Sequence, residues 1–80
     1  IAANLDAYTE TITNSGIADY YHKGMLLEIT FLDGTTYEYF GVSKAVYHKM
    51  IQSDKLNRFA KRNIYPNRLY RKSKRTLKEA

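Results

Sequence analysis

The chain has 80 residues, no cysteine and a formal net charge of +5. That length supports one small domain, burying roughly 60–65% of its unfolded surface. Without cysteine no disulfide or thiolate–metal site can staple it, which fits a reducing cytoplasm. No apolar run approaches the roughly 18 residues a membrane span needs, and no signal-peptide pattern opens the chain. The first residue is Ile1 rather than Met, as in a trimmed segment of something longer.

The charge is divided along the chain. Residues 1–42 set Lys23 against Asp6, Glu10, Asp19, Glu28, Asp33 and Glu38, a net −5, whereas residues 43–80 carry twelve Lys or Arg against Asp54 and Glu79, a net +10. A near-acidic scaffold with a basic second half points to an anionic partner.

Residues 1–13, IAANLDAYTETIT, place Leu5, Tyr8 and Ile12 at helical spacing and read as an N-terminal arm or short helix. Beyond them, IADYY (17–21), MLLEITFL (25–32) and TTYEYF (35–40) are rich in β-branched and aromatic residues and are punctuated by glycines, as strands are. Asp33-Gly34 is the strongest hairpin signal. A two-residue turn there would put Tyr37 and Tyr39 opposite Thr30 and Glu28, on the polar side. An odd loop ending in a left-handed Gly34 would instead set both tyrosines on one apolar face with Leu27, Ile29 and Phe31. A one-residue slip flips every side chain, so the hydrophobic pattern selects the odd loop.

After Gly41 the period changes. Ser43 is a candidate N-cap, with Val42 and Tyr47 spaced as a hydrophobic staple, and Val46, Tyr47, Met50 and Ile51 predict a helix over 44–52. Ser53-Asp54 is read as capping a second helix whose apolar stripe is Leu56, Phe59, Ala60 and Ile64. Arg58 and Arg62 lie four apart on its other side, and Pro66 ends it. Residues 67–80 read as a basic C-terminal extension, either a tail or a short helix. The expected architecture is α+β: a three-stranded antiparallel β-meander over residues 14–66, packed by its tyrosine-bearing face against two short α-helices.

The run LLEITFLDGTTYEYFGVSKAVYHKMI resembles the KTSC domain, a small module named for its place at the C-terminus of some lysyl-tRNA synthetases and also found as a small bacterial or phage protein. The resemblance rests on Leu27, Ile29, Phe31, Gly34, Tyr37, Tyr39, Val42, Ser43, Val46 and Tyr47, and continues more loosely through Arg58, Phe59 and Ile64. It departs at Ser43, where the family usually has proline. Asn57 and Lys61 stand where glycine and asparagine are expected, and Ala60 replaces an aromatic. Through the synthetase context, the resemblance implies RNA binding.

Two places compete for that role. The tyrosine pair is a candidate base-stacking platform, but Glu38 between them and nearby Glu28 and Asp33 repel phosphate, so core packing is the expected use. The basic run is the stronger candidate. Lys55, Arg58, Lys61 and Arg62 continue into Arg68, Arg71, Lys72, Lys74 and Arg75, interleaved with Tyr65 and Tyr70. Arginine's planar fork suits phosphate, and aromatic neighbours suit bases. The plain alternative is a solvated helix face with a solubilising tail. For chemistry there is little: His22 and His48 form no helical metal-ligand pair, cysteine is absent, and no nucleophile elbow or phosphate loop is present, so neither catalysis, a metal nor a cofactor is expected. The sequence therefore points to a small non-catalytic binding module for RNA or single strands, with docking of an acidic protein as the rival and no membrane role.

Overall fold

The computed structural model describes residues 7–73, in the order α1 (Ala7–Asn14), β1 (Ile17–Lys23), β2 (Leu26–Phe31), β3 (Thr36–Phe40), α2 (Lys44–Gln52), α3 (Leu56–Asn63) and β4 (Tyr70–Lys72). One antiparallel sheet runs β1-β2-β3-β4. Its register is set at the second hairpin. Phe31 N–H donates to the Thr35 carbonyl and Gly34 N–H to the Phe31 carbonyl, each at 2.8 Å, leaving a three-residue loop in which Gly34 has φ +92°. Asp33 fixes the loop: its carboxylate accepts Thr35 N–H at 3.0 Å and the Thr35 hydroxyl at 2.6 Å, while its second oxygen accepts the Thr11 hydroxyl at 2.9 Å.

The odd loop pairs Ile29 with Tyr37 and Leu27 with Tyr39. Leu27, Ile29, Phe31, Tyr37 and Tyr39 thus share one face, and Val42, Met50, Ala60 and Ile64 close over it, all 4% exposed or less. Each fully buried aliphatic or Phe side chain contributes about 1.5–3 kcal/mol. Tyr8 and Ile12 of α1, Val46 and Tyr47 of α2, and Leu56 and Phe59 of α3 pack around this core. A bulge at Ala18, where the register shifts between Ile17 and Asp19, turns Ile17 toward the same core. The first hairpin closes with Gly24-Met25, Gly24 supplying the positive φ of 65° that a two-residue turn demands.

The opposite face of the sheet is acidic at its centre. Glu28 stands directly across from Glu38, and Arg71 flanks Glu38 from β4. Arg71 donates from Nη2 at 2.7 Å and from Nε at 3.0 Å to one Glu38 oxygen, with its guanidinium 5.5 Å from the Phe40 ring centroid.

Three expectations change. The sheet has four strands, not three, because the start of the supposed tail pairs with the open edge of β3, matching Tyr70 to Tyr39 and Lys72 to Tyr37; unpaired backbone groups on that edge favour a partner. The helices number three among the described residues, since 7–14 of the N-terminal arm is helical and lays Tyr8 and Ile12 on the core. Ser43 does cap α2, accepting Val46 N–H at 3.2 Å. Ser53-Asp54, however, does not cap α3: Ser53 closes α2, its hydroxyl accepts Lys55 N–H, and Lys55 at the N-cap makes no side-chain cap bond.

Candidate nucleic-acid interface

Helix α3 separates its residues by period. Leu56, Phe59 and Ala60 face the core with Ile64 beyond the last turn, while Lys55, Arg58, Lys61 and Arg62 project to solvent. Positions 55, 58 and 62 fall on one stripe, and 61 is a turn from 58. Together with Asn57 the four cations line one open depression. None of them forms an ion pair among the described residues. Lys61 and Arg62 also sit in the last turn, where they favour α3 through its dipole. Lys55 and Arg58 lie in the first turn, where that dipole disfavours cations, so helix stability alone does not account for the set.

Asn57 carries no sequence signal for a role, yet its Oδ1 accepts Ile17 N–H at 3.1 Å and pins α3 to the start of β1.

The remaining basic candidates are spread out. Arg71 lies on the outer sheet face, bound to Glu38. Lys72 belongs to the opposite face of β4 and lies near enough to Asp33 to help hold that carboxyl below its ordinary range, after the two bonds from Thr35 and that from Thr11. Arg68, in the turn between α3 and β4, has its Nε buried with no hydrogen-bond partner. Lys74 and Arg75 lie outside the described residues.

The aromatic candidates have structural duties. Tyr37 and Tyr39 are core, 4% and 0% exposed. Burial, with the Tyr8 hydroxyl beside it, pushes the Tyr39 hydroxyl far above its ordinary pKa, so it stays neutral. Tyr70 has one ring face covered by Tyr8, the centroids 3.7 Å apart and nearly parallel. Tyr65 leans on Tyr39 and Phe31 at 5.6 and 6.1 Å between centroids, and burial raises its pKa too. His22 has a structural contact: its Nε2 bonds to the Val42 carbonyl at 2.7 Å and its ring stacks on Tyr47, tying β1 to the entrance of α2. Among the described residues no three His, Cys, Asp or Glu converge on a metal position, and no helix is long and apolar enough to cross a membrane.

A family model for the KTSC domain matches residues 13–77, most of the chain. No curated protein matches it.

Proposed function

Given that the chain belongs to the KTSC domain family, we propose that it is a small, non-catalytic cytoplasmic module that binds single-stranded nucleic acid, RNA foremost, through the cationic face of α3. One observation carries this reading: Lys55, Arg58, Lys61 and Arg62 line a common depression, with no carboxylate among the described residues that line it. The acidic centre of the outer sheet face argues against phosphate there. Single strands are put before duplex because the sequence carries no pattern of a major-groove recognition motif such as a helix-turn-helix. Arg68, Lys72, Lys74 and Arg75 add to the net positive charge that draws a polyanion to the protein as a whole.

The test is a fluorescence-anisotropy titration of a single-stranded RNA oligomer at several salt concentrations. Four phosphate contacts give a log–log slope of about −2.8. Absence of binding at low salt ends the reading.

A second reading is docking of an acidic protein on the same cationic face of α3, where carboxylates would take the place of phosphates. The exposed Tyr21, Met25 and Leu69, at 51%, 56% and 79%, favour it as apolar surface that phosphate contacts do not require. A partner captured equally well after nuclease treatment would favour it.

A further inference from the structure

The depression on α3 does not end at Lys61. That lysine also lines a neighbouring open cleft of about 370 Å³, whose other walls are Ile12 and Thr13 at the end of α1 and Tyr65 and Pro66 just past α3. A row of phosphate-binding cations therefore runs directly into a mainly apolar slot. Resting on the reading above, we infer that this cleft receives an unpaired nucleobase of the strand whose phosphates lie along α3.

The chemistry of the walls selects a base over other occupants. Ile12, Tyr65 and Pro66 offer flat or apolar surface, and the Tyr65 ring is already fixed against Tyr39 and Phe31, so ordering it costs little on binding. The carboxyl end of α1 is the negative end of its dipole, which rejects phosphate and accepts a neutral ring. Lys61 is the only charged residue among the described lining residues, placed to hold the phosphate that follows the base while its stem covers apolar surface. Sequence reading singled out Tyr65 and Lys61 but had no means of finding Ile12 or Thr13, which reach the site only through the packing of α1.

The experiment uses the full chain and two probes of equal length: a single-stranded oligouridylate, and an abasic ribose–phosphate oligomer. A base in the cleft makes the oligouridylate bind roughly 5- to 150-fold more tightly, the range for one stacked base, with parallel salt slopes. In a companion photocrosslinking run, 5-iodouridine in the oligomer attaches within 63–68, at Tyr65. Equal affinities for the two probes would overturn the cleft and leave α3 as a phosphate binder. Crosslinks confined to Tyr21 or Tyr70 would also overturn it. Failure of both probes to bind at low salt would remove the cleft and the nucleic-acid reading together.

Discussion

Arg71 and Arg62 are both exposed arginines of the basic half, yet the structure gives them opposite jobs. Arg71 makes two bonds to Glu38 and lies over Phe40. Its side chain is 69% exposed against 13% for Glu38, so solvent weakens the pair. An exposed ion pair is worth about 0.2–1 kcal/mol and an exposed cation–π contact about 0.5–1, making about 0.7–2 kcal/mol together. In a domain of this size that lowers Tm by about 3–16 °C for Arg71→Ala. Arg62 has no ion pair among the described residues, and Arg62→Ala should move stability by no more than about 0.5 kcal/mol. Binding should invert the order. Losing one single-strand phosphate contact lowers the salt slope by about 0.7 and affinity at 0.1 M salt by about fivefold; this is the expectation for Arg62→Ala, with less than twofold for Arg71→Ala. Circular-dichroism melts and anisotropy titrations of both variants supply the comparison. An Arg71→Ala protein that melts like wild type but loses RNA as Arg62→Ala does would refute the division of roles.

The hairpin and core make further expectations. Gly34 has φ +92° and open space around a would-be Cβ, so Gly34→Ala carries conformational strain alone, costing about 1–2 kcal/mol in a denaturant melt; an unchanged midpoint would contradict the left-handed turn. Ile29→Ala empties a fully buried site at about 2–5 kcal/mol, a fall in Tm of about 8 °C or more, and a smaller shift would mean Ile29 is not at the centre of the core. Asp33 is held below its ordinary value of 3.8, first by the Thr35 side chain. Its stabilisation is therefore complete above that value and lost as pH falls through the lowered folded one. The Tm gap between wild type and Asp33→Asn should hold from pH 7 to about pH 5 and close below about pH 4; a gap that persists at pH 2 would assign it to something other than the carboxylate.

What the sequence made legible was what local physics decides. The parity of the Asp33-Gly34 loop followed from the cost of exposing Leu27, Ile29 and Phe31, and α2 from its period and Ser43 cap. The polar stripe of α3 followed from spacing alone. What stayed hidden depends on distant chain. Tyr70–Lys72 has too little apolar patterning to announce a strand and becomes one because β3 offers an edge. The Ala7–Asn14 helix carries a weak stripe, stabilised by Tyr8 against Tyr37 and Tyr70. The cations were visible as a list but not as groups: four meet on α3, whereas Arg71 is drawn to Glu38 by a strand pairing no spacing rule encodes.

The most direct measurement of the central claim is an amide-resolved NMR titration of the protein with a single-stranded RNA oligomer. If α3 is the binding face, shifts concentrate in 55–65 and at Ile12 and Thr13, and fade together as salt is raised. Shifts centred instead on the outer face of β1 to β3, around Tyr21 and Phe40, with α3 unmoved, would contradict the account.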